Sequence, residues 1–231
     1  MKLGIMQPYF MPYIGYFQLI AAVDIFVVYD NIKYTKKGWI NRNRILMNGE
    51  DLIFSLPLKN SSDNLDIINR ELSSGFDRSK LLRQLNGAYR KAPYFNETFQ
   101  LLERIVNCEY TNLFQYIHYS LTEICFHLGI DTEIRISSDI VTDHTLKGEE
   151  RVLNLCQTLG AKTYINSIGG INLYSKDVFS SSGTKLRFIK SNPISYQQFE
   201  AAFVPWLSII DVMMFNTVKQ INKYLMDYEL T

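Results

Sequence analysis

The first thirty residues constrain the fold more than any other stretch. Residues 2–6 form a short apolar run that reads as a buried strand. Pro8 and Pro12 then forbid a helix directly after it, because each fixes φ and removes a backbone donor. Residues 14–23 carry apolar side chains at helical spacing. Residues 24–30 enclose Ile25, Phe26, Val27, Val28 and Tyr29 between two aspartates, a strand rich in β-branched and aromatic side chains. Strand, loop, helix and strand in that order make a βαβ unit with parallel strands and a right-handed crossover.

The same alternation returns later. Strands are expected over 132–136, 162–166 and 185–189, with helices over 147–159, 175–179, 208–215 and 218–228. Between the two alternating regions, 39–47 and 51–57 read as a hairpin turned by Asn48 and Gly49. A polar loop follows over 60–64. Helices are then expected over 79–89, 95–107 and 112–128, the last closed by Gly129. The fold expected is a doubly wound, mostly parallel α/β sheet in one domain over 1–231. A helical insertion or lid occupies 77–130.

Composition narrows the function. The chain has 231 residues, 47% apolar and 20% charged, an ordinary globular balance. Its formal net charge of +1 offers no basic excess for a phosphate backbone, so no nucleic-acid partner is expected. Cys108, Cys125 and Cys156 are scattered, as are His118, His127 and His144, so neither a disulfide framework nor a metal site is expected. The apolar stretch over 203–215 is interrupted by Pro205, Ser208 and Asp211 and is too short to span a bilayer. With no signal-peptide pattern, the expected location is cytoplasmic. Fifteen tyrosines and 14 phenylalanines supply flat faces, and the tyrosines add hydroxyls, as sugar and nucleotide pockets require.

In a doubly wound sheet, ligands bind beyond the C-terminal ends of the strands. That rule selects Gln7 and the loop to Tyr16, then Asp30, then Asp143 and His144, then Asn166 with Gly169 and Gly170. The spacing of Tyr13, Gly15 and Tyr16 matches the His-x-Gly-His signature of nucleotidyltransferases, which place it between strand one and the first helix. Here both histidines are tyrosines, which cannot carry positive charge, so the layout is shared and the catalytic signature is not. Trp39, Asn41, Arg42, Asn43 and Arg44 form a donor-rich cluster suited to phosphate or carboxylate, with the two arginines expected on the strand face opposite Trp39. Asp143 and His144 are the best acid–base pair by residue type, although sequence neighbours do not normally share a face. Thr145 can cap the helix beginning near Lys147, and a lysine in a first turn hints at a bound anion. Gly169 and Gly170 read as a backbone nest ahead of Tyr174.

Taken together, these strings resemble the WbqC-like family. The resemblance rests on the run from Gln7 through Tyr9, Tyr13, Gly15 and Tyr16 to Ile20, and on Tyr29, Asp30, Trp39, Asn41, Arg42 and Asn43. It continues through Gly148, Tyr164, Asn166, Gly169, Gly170, Leu173 and Tyr174 to the segment 207–211. It implies a role in bacterial surface polysaccharide biosynthesis, notably O-antigen, with aminoacyl or acyl transfer onto a nucleotide-linked amino sugar. Under that expectation Gln7, Tyr13 and Tyr16 line the pocket. Asp30 or His144, with Asp143 nearby, serves as base, and Arg42 with the Gly169–Gly170 turn holds phosphates. The alternatives are an ATP-dependent adenylyltransferase or ligase that activates an amino acid, and a sugar-nucleotide-binding protein without turnover.

Overall fold

The computed structural model describes every residue except Asp63, so within the expected loop over 60–64 that residue lies outside the described set. Eight strands and eight α-helices are seen among the described residues. The main sheet has six strands in the order β5-β2-β1-β6-β7-β8. They are β1 (Lys2–Met6), β2 (Ile25–Val28), β5 (Glu133–Ile136), β6 (Thr163–Ser167), β7 (Lys185–Ser191) and β8 (Tyr228–Leu230). The first five in that order run parallel and β8 is antiparallel to β7, so the fold is the mostly parallel α/β sheet expected.

Strand alternation divides the core between two faces. Leu3 and Ile5 of β1 and Ile25 and Val27 of β2 pack with Val152, Leu155 and Phe179 of helices α5 (Gly148–Thr158) and α6 (Lys176–Ser181). Phe26 and Val28 of β2 pack on the opposite face with α1 (Ile14–Ala21), α4 (Leu113–Leu128) and α8 (Val218–Leu225). Each fully buried side chain of this kind contributes roughly 1.5–3 kcal/mol. Helices α2 (Arg78–Tyr89), α3 (Phe95–Val106) and α4 follow the hairpin β3 (Arg42–Met47) and β4 (Glu50–Ser55), and their apolar faces join the cluster that holds α1.

Two local expectations are corrected. The final helix does not run to Tyr228; α8 ends at Leu225 and β8 follows. Gln18, fully buried on α1, donates its amide to the carbonyls of Tyr224 and Asp227, which ends the helix and frees the chain to join the sheet edge. Strand β3 begins at Arg42, so Trp39 stands in the preceding turn, where strand alternation does not apply.

Candidate functional site

Crossover helices leave β1 on one face of the sheet and β6 on the other. Between those two adjacent strands the connections diverge and open a crevice at the C-terminal ends, the switch point of a doubly wound sheet. A cleft of about 550 Å³ lies there, lined from the β1–α1 loop, the ends of β6 and β7, and the hairpin. A larger groove of about 980 Å³, bounded by Asn48, Arg90, Lys91 and Phe199, lies beside the hairpin turn and α2 rather than at the strand ends. The crevice at the switch point is therefore the candidate site.

Five aromatic rings line it: Tyr9, Tyr13, Tyr16, Trp39 and Trp206. Tyr16 is buried and donates its hydroxyl to the carbonyl of Gln7, so it braces the loop and presents only its ring. The hydroxyl of Tyr13 makes no hydrogen bond among the described residues, and half-burial pushes its pKa up to about 12, so it stays a neutral donor. Trp206 packs 5.2 Å from Tyr13 between ring centroids and holds φ at 62°, an unusual conformation for so large a side chain.

Gly15 leaves room for its neighbour here: a Cβ at this position would stand 2.7 Å from Ser191 Oγ, and the serine would have to turn away. Its bare backbone lets the start of α1 approach the end of β7, which brings Ser191 and Lys190 to the cleft. Among the described residues no Asp, Glu, His or Cys lines the cleft, and the charged residues that do are Arg44 and Lys190.

The loop is fixed by the asparagines of the hairpin. Asn43, buried on β3, donates its amide to the carbonyls of Phe10 and Met11. Ser208 Oγ donates to the same Met11 carbonyl at 2.6 Å, and the amide of Ile209 donates to Pro12 O. These bonds hold Met11 at φ 45° in the left-handed region. Asn41 donates to Leu56 O and accepts from the Tyr34 hydroxyl, bracing the hairpin. Arg42 donates to the carbonyls of Lys37 and Gly38 and closes the turn. Arg44, rather than Arg42, lines the cleft; it pairs with Asp51 at 3.2 Å and donates to the Trp206 carbonyl.

A second network stands behind Trp206. Asp211, fully buried near the start of helix α7 (Ile209–Phe215), accepts from Tyr89, Tyr196 and Gln198 at 2.9, 2.7 and 2.6 Å. Burial raises its pKa, opposed by these three donors. Gln198 also bonds both backbone groups of Val204, which fixes the segment leading to Trp206.

The remaining candidates lie elsewhere. Asp30 is fully buried at the end of β2, and its two oxygens accept from the backbone and hydroxyl of Ser138. His144 Nδ1 faces Asn31 Nδ2 at 3.1 Å and an Arg151 guanidinium nitrogen at 3.3 Å. Its Nε2 meets the carbonyl of Ile140, so Nε2 carries the proton and Nδ1 is the acceptor. Arg151 also covers the ring of Tyr29 at 4.9 Å. Asp143 accepts instead from the amide and hydroxyl of Thr145, which hold its carboxyl below the usual range. Thr145 therefore does not cap α5; the N-cap is Lys147, exposed and without a side-chain cap.

Asn166 is buried and bonds Tyr164, with Gly170 fitted against its amide. Gly169 and Gly170 lie inside a 3-10 helix (Ile168–Leu173) and neither has positive φ, so the pair is not a nest, which needs alternating right- and left-handed residues. Tyr174 packs on Tyr164 and Phe179 in the core of the α5–α6 face. Ser167, the last residue of β6, and Ile168 after it are the residues of this region that reach the cleft.

The chain is thus an α/β protein with a doubly wound sheet and an aromatic, cation-bearing cleft at its switch point. The chain belongs to the WbqC-like protein family, whose model matches residues 7–223. It is 32% identical over 228 residues to the uncharacterized protein Rv1507c of Mycobacterium tuberculosis, covering 97% of each chain.

Proposed function

We propose that this chain is a transferase that adds an aminoacyl or other acyl group to a nucleotide-linked amino sugar, a step in building a bacterial surface polysaccharide such as O-antigen. The observation that carries the reading is the cleft lining: five aromatic rings, Arg44 and Lys190, and no carboxylate among the described residues. Flat aromatic faces suit a sugar ring or a base, and the two cations suit a diphosphate. Resemblance to the WbqC-like family supports the pathway setting.

In such a transfer the sugar amine attacks the acyl carbon. A C–N bond forms, the bond to the leaving group breaks, and the amine proton passes through water to the departing group. Among the described residues the lining offers no imidazole, carboxylate or thiol, so the cleft contributes binding and orientation, and the acyl donor arrives already activated. Asp30 and His144 serve as base only if Ser138, or Asn31 and Arg151, first release them.

Trp39 and Trp206 are the chain's two tryptophans and both line the cleft, so tryptophan emission reports this site alone. Adding a nucleotide-linked amino sugar is expected to change that emission saturably, and adding an acyl thioester to start turnover. Unchanged emission with millimolar sugar nucleotides rejects the reading. Saturable binding without transfer selects a sugar-nucleotide-binding protein, the second reading, which a lining without imidazole, carboxylate or thiol among the described residues favours. Pyrophosphate release from ATP and glycine moves the assignment to ATP-dependent activation.

A further inference from the structure

The cleft accounts for the rings that face inward but not for the surface around its mouth. Both tryptophans stand half outside it, Trp39 with 41% and Trp206 with 52% of its surface exposed. Ile168, at the rim, is the first residue of the 3-10 helix. Residues three apart share a face of such a helix, so Ile171, 46% exposed, extends the apolar rim outward. Maintaining Trp206 in a left-handed conformation while exposing half of its surface is unfavourable for a soluble wall.

The charge beside this rim is positive. The turn over 35–38 carries Lys37 and leads directly into Trp39, and Arg42 lies 5.7 Å from the Trp39 ring centroid. Arg44 pairs with Asp51 at 3.2 Å and Lys190 lies 4.0 Å from Glu229, so those two are partly neutralised. Among the described residues, no carboxylate stands within 4.0 Å of Lys37 or Arg42. Exposed tryptophans ringed by aliphatic side chains and cations match the headgroup layer of an anionic bilayer, where indole rings settle and cations meet lipid phosphates.

We propose that the mouth of the cleft docks on an anionic membrane surface, with Trp39 and Trp206 seated in the headgroup layer. No helix among the described residues is long and apolar enough to cross a membrane, so this contact is peripheral. It places the cleft opening at the interface, where a sugar carried on a lipid diphosphate would be presented. The proposal does not depend on the transfer reaction.

The test is sedimentation of the full chain with phosphatidylglycerol-rich vesicles and with phosphatidylcholine vesicles, without any sugar nucleotide. Co-sedimentation with the anionic vesicles alone is expected, with a blue shift of tryptophan emission and release at high salt. Lys37→Ala is expected to weaken it about fivefold, the effect of losing one cation near the surface. Ile171→Ser is expected to weaken it severalfold. Neither residue lines the cleft, so both variants should keep the wild-type emission response to a sugar nucleotide in solution. Failure to co-sediment overturns the proposal, as does wild-type vesicle binding by both variants. A dimer in solution that buries both tryptophans also overturns it, because a second copy would then be the occupant.

Discussion

The switch-point cleft and the cluster at the end of β2 both satisfy the rule that ligands meet strand C-termini, yet they are opposite kinds of place. At the end of β2, Asp30 is held by Ser138, and His144 by Asn31, Arg151 and Ile140. Acid, base and cation are all present, but Asp30 and His144 already have partners on both of their polar atoms, and the cation Arg151 is held through its two terminal nitrogens. In the cleft the groups are poorer in chemistry and richer in opportunity: the Tyr13 hydroxyl has no partner among the described residues, and two tryptophans stand exposed. The difference follows from topology. At β1 and β6 the crossovers part to opposite faces and leave space, whereas at the end of β2 the turn over Ser137–Asp139 and the start of α5 close over the strand. A residue's chemical type thus says less about its availability than the direction of the connection above it.

The largest effect expected separates the two regions by stability. Asp30→Ala leaves the part-buried Ser138 amide and hydroxyl without the acceptor that the fully buried Asp30 supplies, at a cost of about 2 kcal/mol in chemical denaturation. The tryptophan response to sugar nucleotide should survive. A fully stable Asp30→Ala protein would show that this cluster is not the closed structural anchor described above.

The mirror experiment is Arg44→Ala. Its partly exposed pair with Asp51 is worth less than about 1 kcal/mol, so stability should hardly change. Sugar-nucleotide affinity should fall tenfold or more in the same emission titration. Unchanged affinity would remove Arg44 from the diphosphate role.

Gly15→Ala tests how tightly the cleft is built. The added methyl would meet Ser191 Oγ, so a severalfold loss of affinity is expected, with Ser191→Gly in the same chain restoring most of it. Equal losses in the single and double variants would place the effect elsewhere.

The smallest effect concerns the wall behind Trp206. Burial raises the folded pKa of Asp211, so the folded state binds its proton more tightly than the unfolded chain does. The resulting stabilisation is complete below the unfolded value of about 3.9 and is lost as pH rises through the folded value. Asp211→Asn cannot titrate, so the stability difference between wild type and variant should shrink as pH rises above about 4. A pH-independent difference would mean that the three donors fully offset burial.

Most of the fold was legible where local rules act. Strand β1 has the expected bounds, and the βαβ unit, the Asn48–Gly49 hairpin and the Gly129 helix end, with φ at 68°, follow from pattern and turn chemistry. Helix α8 was overextended because Gln18, which ends it, lies some two hundred residues earlier. The candidate site was half legible. Tyr13, Gly15, Tyr16, Trp39 and Asn43 meet at the cleft, while Arg42, Tyr174 and the Asp30–His144 group do not line it. Lys190, Ser191 and Trp206 carried no local signal. Trp206 sits inside an apolar stretch that reads as core, and only its left-handed backbone turns it toward Tyr13.

By itself, the sequence determined the order of strands and helices, the parallel start of the sheet and the loop that leads into the site, because hydrophobic period and turn residues act over a few neighbours. Only the tertiary structure decided which strand end stays open and which arginine reaches it. It also decided which acids and bases are held by other side chains. Those outcomes depend on where crossovers diverge and on hydrogen bonds between residues far apart in the chain, and local pattern carries neither.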